Sequence, residues 1–241
     1  MAKNFVEYAK TRIGLSPRPL SLNNSEKIID ELVANRAPNR DIVVVEFGFN
    51  HGNDSRHIIN ILLQKLGVTG WQFWGYDHKN YFMAENIFYG FSDKDLQAIS
   101  RNIKLIPCYF EDIAQDASLL PESIDYVYSN KSLSMVKPQY FFPLLEQIVS
   151  HIAPHGVMCC SLHTYSDKDP FYLPTEAYIK MLNDECGLFR DFQSIADFTK
   201  QQYFSFISTK NGKHSFSLKK GISDNDSELL YEQAFRNEKK D

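Results

Sequence analysis

The sequence predicts an α/β protein built on a doubly wound, mostly parallel sheet. Three observations carry that expectation. Short apolar runs rich in β-branched and aromatic residues alternate with segments whose apolar residues recur at helical spacing. The first run, DIVVVEFGF at 41–49, is continuous rather than alternating, as in a strand buried on both faces. It then passes through a glycine-containing turn, GFNHGN, directly into a helix-patterned segment.

Each element follows from its own pattern. Residues 25–36 (SEKIIDELVANR) place Ile28, Ile29, Leu32 and Val33 on one helical face after a polar start. The preceding SPRPLSLNN reads as loop, with a short leading helix over 3–12. After the first strand, DSRHIINILLQKLG sets Ile58, Ile59, Leu62, Leu63 and Leu66 at helical spacing. WQFWGYD is the second strand, beyond the stop at Gly67 and Gly70. HKNYFMAENIFYGFSDKDLQAIS is a helix or an irregular segment whose aromatics (Tyr81, Phe82, Phe88, Tyr89, Phe91) read first as helix-to-sheet packing.

IKLIPCYF gives a third strand, EDIAQDASLL a short helix, and SIDYVYSN a fourth strand. QYFFPLLEQIVSHIAP is a helix ending at Pro154, and HGVMCCSLH is the fifth strand. Residues 174–186 pattern as helix. DFQSIADF, QQYFSFIST and KHSFSLKK are then strand-like, with NGK as the hairpin turn between the last two. The tail is polar. The expected division is 1–24 as an N-terminal lid or leading helix, 25–220 as the main domain, and 221–241 as a tail.

Composition narrows the function classes. The 241 residues are 43% hydrophobic and 23% charged, values of an ordinary globular chain with its own core. A net charge of −4 supplies no basic face for phosphates, which makes nucleic acid an unlikely partner. No run approaches the roughly 20 apolar residues that span a bilayer, and the first residues lack the apolar centre of a secretory signal. The expectation is a soluble, cytoplasmic protein without a membrane partner, its oligomeric state (monomer or homodimer) open. Four cysteines without a CxxC pair suggest neither a disulfide scaffold nor zinc; Cys159 and Cys160 read as small buried hydrophobes. Asp167 and Asp169 read as solvated loop acids, so no metal is assigned.

A doubly wound sheet binds ligands beyond the carboxyl ends of its strands, where the winding reverses. Those ends are Glu46–Gly52, Asp77, Tyr109–Asp112, Ser129–Lys131 and His163–Asp169. Gly48 and Gly52 allow a tight turn and close backbone approach to a ligand, and the helix after them offers unpaired N–H donors. Asp77 closes the second strand 25 residues after Gly52, where a carboxylate accepts hydrogen bonds from ribose hydroxyls. The plainer reading of that Asp is a turn former.

With those residues in place, the chain resembles the class I S-adenosylmethionine-dependent methyltransferases over about residues 25–220. VVVEFGFNHG looks like the family's first motif and GYDHK like its second. IKLIPCYFEDI is similar to the segment that flanks the adenine, PESIDYVYSNKSLSMV to the fourth-strand motif, and QIVSHIAPHGVMCCSL to the helix–Pro–Gly–strand element after it. The resemblance implies a seven-stranded Rossmann-like methyltransferase fold with a C-terminal antiparallel hairpin. It implies S-adenosyl-L-methionine as cofactor, with S-adenosyl-L-homocysteine as product, and a small-molecule acceptor, a protein acceptor ranking below it.

Carried over position by position, the cofactor-binding set is Glu46, Gly48, Phe49, Asn50, Gly52, Asp77, His78, Phe110, Glu111 and Asn130. The first-motif glycines would pack against the amino-acid portion and Glu46 would order the loop. Asp77 would take the ribose, and Asn130 would lie near the sulfonium. Two positions depart from the pattern. Asn50 stands where the loop has its central glycine, and Asn tolerates left-handed dihedrals. Tyr109 stands where an acid meets adenine, leaving that contact to Glu111, Asp112 or aromatic stacking.

His163 at the end of the fifth strand is the candidate base, its ordinary pKa lying near neutrality; a polar residue merely closing a strand is the alternative. Tyr165 is the second candidate catalytic residue, and His78 and Lys131 follow it. A nicotinamide dehydrogenase fits poorly, because counting from Gly48 the next glycine positions of G-x-G-x-x-G hold Asn50 and Asn53. The remaining alternative is a methyltransferase-like protein that binds cofactor or a partner without catalysis.

Overall fold

The computed structural model describes residues 20–50, 52–79, 85–88, 90–163, 172, 177–178, 188–198 and 201–210, with only the backbone path described for 20–24, 85–86, 138, 188–198 and 201–210. The elements, in chain order, are α1 (Leu20–Asn35), β1 (Ile42–Phe47), α2 (Asn53–Leu66), β2 (Trp71–Asp77), α3 (Glu85–Phe88) and α4 (Asp93–Ile99). They continue as β3 (Ile103–Pro107), α5 (Phe110–Gln115), β4 (Ile124–Asn130), α6 (Pro138–His151), β5 (Ile152–His163), β6 (Leu188–Phe198) and β7 (Gln201–Lys210).

The strand order is β3-β2-β1-β4-β5-β7-β6. Pairs among β1 to β5 are parallel, while β7 runs antiparallel to both β5 and β6. The chain enters at β1, winds outward through β2 and β3, then returns to β4 on the other side of β1. The winding therefore reverses between β1 and β4, and the crevice lies above their carboxyl ends. The expected α/β doubly wound, mostly parallel fold is present.

Side-chain alternation along β1 divides the core between the two sheet faces. Val45 and Phe47 join Tyr76 with Phe141, Leu144, Leu145 and Ile148 of α6. Ile42 and Val44 turn the other way, onto Ile28 and Ile29 of α1 and Ile58, Ile59 and Leu62 of α2. Burying each such side chain stabilises the fold by roughly 1.5–3 kcal/mol. Phe88 and Phe91 pack against this second layer, as the aromatic-packing reading expects; Tyr81, Phe82 and Tyr89 lie outside the described residues. Cys108, Cys159 and Cys160 are buried free thiols, and burial pushes the Cys108 thiol up to about 12.

Three boundaries differ from the sequence reading. α1 begins at Leu20 rather than at 25, so LSLNN joins the helix; Ser25, fully buried, meets the hydroxyl of Tyr126 at 2.8 Å. The third strand stops at Pro107, and Phe110 opens a helix instead of ending the strand. Pro154 lies inside β5, which begins at Ile152, because a register shift opposite Ile124–Tyr126 lets β5 absorb a His155 of φ +66°. The NGK turn, KHSFSLKK and nearly all of 174–186 fall outside the described residues.

At the amino ends of the strands, Asp125 ties the two central ones together. Its carboxylate accepts from Arg40 Nη1 at 2.7 Å and from the Val43 backbone N–H at 2.9 Å. Asp125 is buried, so removing it strands both donors. Asp125→Ala should lower unfolding free energy by roughly 2 kcal/mol. Urea denaturation at pH 7 checks this, and an unchanged midpoint rejects the tie.

Candidate active site

The loop from Gly48 to Gly52 is built from backbone conformations that few residues adopt. Gly48 has φ +80°, and its N–H donates to the Tyr76 carbonyl at 2.7 Å. A Cβ there would collide with the Ser132 side chain, so the position requires glycine for space as well as for dihedral. Asn50 sits at φ +42°, the left-handed conformation expected of it. Gly52, at φ +68°, closes the loop by donating to the Phe49 carbonyl at 2.6 Å and stands at the start of α2.

Asp77 holds that loop to the end of β2. It is 6% exposed, with one oxygen accepting from the Asn50 N–H at 2.6 Å and the other from its neighbour His78 N–H at 2.8 Å. The carboxylate opens on a cavity of about 810 Å³ above the strand ends. It is lined by Gly48, Asn50, Asp77 and His78, then by Tyr109, Phe110, Glu111 and Asp112, and by Ser132, which packs against Gly48, with Met135, Val136, Lys137 and Tyr140.

The Tyr109 ring is braced from two sides. His78 meets it edge-on at 4.5 Å between centroids, and Lys79 lies over it at 5.1 Å while pairing with Asp112 at 3.5 Å. Asp112 also accepts the Tyr109 N–H at 3.3 Å, closing the first turn of α5. This wall is aromatic with carboxylates beside it, a surface suited to a planar heterocycle with donor groups on its edge.

Beneath the loop lies a polar cluster. Glu46 is 2% exposed and accepts from Ser55 Oγ at 2.6 Å. Burial, reinforced by Asp54 and then by Asp77, holds its carboxyl well above the usual range. Asp54, in the first turn of α2, accepts from the Tyr128 hydroxyl at 2.7 Å and from Asn130 Nδ2 at 3.4 Å. Burial also raises the Tyr128 phenol, with Asp54 adding to it, and lowers the Lys131 ammonium, which Asp54 opposes.

The residues singled out in the sequence thus separate into layers. Gly48, Asn50, Asp77, His78, Phe110 and Glu111 line the cavity. Glu46, Gly52 and Asn130 do not line the cavity, and Phe49 is buried in the apolar layer, where it closes around Gly75 with Leu105 and Phe73. His163 does not line the cavity; its ring stacks on Tyr172 at 4.8 Å, and its backbone joins Ser134 and Tyr178. Tyr165 lies outside the described residues. The residues that sequence reasoning missed are Asp54, Tyr128 and Ser132. Only the chain crossing between α2 and β4 brings them together, so no local motif marks them.

Solved structures share this architecture. The CurJ carbon methyltransferase matches with a TM-score of 0.54 at 14% identity, over 83% of this chain and 57% of that one. The 1,6-didemethyltoxoflavin-N1-methyltransferase of Burkholderia thailandensis matches with a TM-score of 0.52 at 12% identity, over 80% of this chain and 79% of that one. The N-methyltransferase NodS of Bradyrhizobium japonicum WM9 gives a TM-score of 0.52 at 11% identity, over 81% and 89%. No protein-family model matches the chain, and a comparison with curated protein sequences finds no match. At these identities the likeness is one of fold. The chain has the fold of the class I S-adenosylmethionine-dependent methyltransferases.

Two outcomes test the geometry. Glu46 binds a proton more tightly folded than unfolded, so its burial costs stability increasingly as pH rises above about 4.5. Glu46→Gln should therefore raise the urea midpoint at pH 7, the gain shrinking toward zero as pH falls to 4.5; a variant less stable at pH 7 contradicts the assignment. Gly48→Ala should cost roughly 2 kcal/mol, from its dihedral and the Ser132 collision, in the same assay.

Proposed function

We propose that the protein is an S-adenosylmethionine-dependent methyltransferase acting on a small-molecule acceptor in the cytoplasm. The observation that carries this reading is Asp77: a buried carboxylate at the end of β2, tied to the glycine-containing loop and opening into the cavity beside the switch point. That acceptor array suits the vicinal hydroxyls of a ribose. The neighbouring wall of His78, Tyr109 and Phe110, with Glu111 and Asp112 beside it, suits an adenine. Structures of the same fold support the reading, since two of them hold S-adenosylhomocysteine. One of these also holds its small-molecule acceptor, 1,6-didemethyltoxoflavin.

The residues present fit this cofactor. The sulfonium supplies an activated methyl group, and the protein's contribution is proximity, alignment and exclusion of water. Asp77 holds the sugar and, through the Asn50 amide, keeps the loop closed over it. The joined His78 and Tyr109 rings offer the base an aromatic surface. Gly48, lacking a Cβ, leaves room for the Ser132 side chain in the cavity wall. The lining formed by Met135, Val136 and Tyr140 receives the acceptor, which apolar contact and the Lys137 ammonium orient. His163 is left out of this scheme, because its ring stacks on Tyr172 and is not among the residues lining the cavity.

Thermal shift in the presence of S-adenosylmethionine, S-adenosylhomocysteine and NAD tests the class. At about a hundred times Kd the two sulfur nucleosides should stabilise by about 2.7 kcal/mol, a rise of roughly 5–10 °C, with NAD giving none. Stabilisation by NAD alone rejects the reading. By calorimetry, Asp77→Ala should weaken both nucleosides by about 2 kcal/mol, roughly thirtyfold; equal affinity removes the ribose assignment.

A further inference from the structure

The acids and the base of the cavity lining differ in how they are met. Asp77 accepts from two backbone N–H groups, and Asp112 pairs with the Lys79 ammonium at 3.5 Å. Lys137, the one lysine or arginine among the described lining residues, is exposed and makes no ion pair among the described residues. It stands at the N-cap of α6, where aligned peptide dipoles already present positive charge and a cation is unfavourable. The first turns of α2, α4 and α5 follow the usual rule and carry acids, whereas the first turn of α6 has none. A residue placed against a local preference, with nothing in the fold to offset it, is expected where a ligand is met.

The wall beside Lys137 is apolar. Met135, 59% exposed, is the most exposed of the large hydrophobic side chains described, and it lines the cavity with Val136 and Tyr140. The Tyr172 hydroxyl donates to its sulfur at 3.3 Å, and the Tyr172 ring stacks on His163, so the thioether is tied in place. The Met135 N–H donates to the Ser132 carbonyl at 3.0 Å and the Tyr140 N–H to the Lys137 carbonyl at 2.9 Å. Apolar residues and ammonium therefore share one short, hydrogen-bonded path from β4 into α6. A concave wall of this kind, apolar with one charged group, suits a ligand that has an apolar body and a single opposite charge.

We propose that Lys137 sets the specificity of the acceptor site, and that the acceptor is a small molecule whose apolar body carries an anionic group. That this ligand is the methyl acceptor rests on the methyltransferase reading; the pairing of an anion with Lys137 does not. The anion meets the ammonium, and the body lies on Met135, Val136 and Tyr140. Glu111 and Asp112 in the same lining repel an anion, which favours Lys137 as its anchor. A lysine ammonium is a point charge that serves a planar carboxylate and a tetrahedral phosphate alike, so the test carries one of each.

The experiment titrates four probes with a common phenyl body: 3-phenylpropionate, phenethyl phosphate, 3-phenylpropionamide and 3-phenylpropylamine. Proton–nitrogen spectra of the full chain, saturated with S-adenosylhomocysteine, would give their dissociation constants. At least one anion should bind about fivefold more tightly than the amide, with the amine weakest. Lys137→Met should weaken the anions to the level of the amide, and Lys137→Glu should bind the amine more tightly than either anion. Met135→Ala should weaken anion and amide by the same factor, because it removes contact with the body and leaves the charge.

Thermal melting separates this role from a structural one. Lys137→Met and Lys137→Glu should melt no lower than the wild type, since both relieve the positive end of α6; a lower melting temperature gives Lys137 a structural role and overturns the inference. Equal affinity of the wild type for anions and amide overturns it too, as does an anion preference that survives in Lys137→Met, or no binding by any probe. In each case the methyltransferase reading stands if S-adenosylhomocysteine binds. Failure of that nucleoside to bind overturns the methyltransferase reading alone, and the same four titrations on the protein without it then decide whether Lys137 selects an anion.

Discussion

The hydrogen bonds from Asn50 and His78 to Asp77 are the constraint on which the upper end of the sheet depends. Carboxylates buried at the end of a strand are costly unless backbone N–H groups meet them. Here one of those N–H groups belongs to a loop that leaves a different strand. The stability of the acid and the shape of the loop are thus one requirement. Gly48, Asn50 and Gly52 adopt positive φ because only that path brings the Asn50 N–H onto the carboxylate and then turns the chain into α2. The cavity above inherits its edge from this tie.

Below it, the site collects acids with few cations to offset them. Glu46, Asp54 and Asp77 converge from β1, α2 and β2, with Ser55, Tyr128 and Asn130 as their hydrogen-bond donors. Hydroxyl and amide donors hold the acids in place without cancelling their field. The acids thus gather where the winding of the sheet reverses, a location that belongs to the topology.

Much of the architecture could be read in the chain directly. The run from Ile42 to Phe47 is apolar at every position but Glu46, so it had to be a central strand, and the one interruption marked the site. Trp71–Asp77 was legible to the residue because Gly70 and the acid bracket it. Pro154 misled because proline ordinarily ends a helix and is rare in a strand, yet a bulge gives it room. The start of α1 was misread as well: LSLNN reads as loop, yet the helix runs from Leu20.

By itself, the sequence determined the alternation of strands and helices, the two-sided burial of β1, the left-handed turn at Asn50 and the placing of Asp77 at a strand end. These follow from periodicity and dihedral preference, which act over a few residues. Only the tertiary structure decided that Phe49 belongs to the core, that His163 stacks on Tyr172, and that Asp54, Tyr128 and Asn130 meet. Those outcomes depend on which distant surfaces the crossovers press together, and neighbours in space leave no imprint on neighbours in the chain.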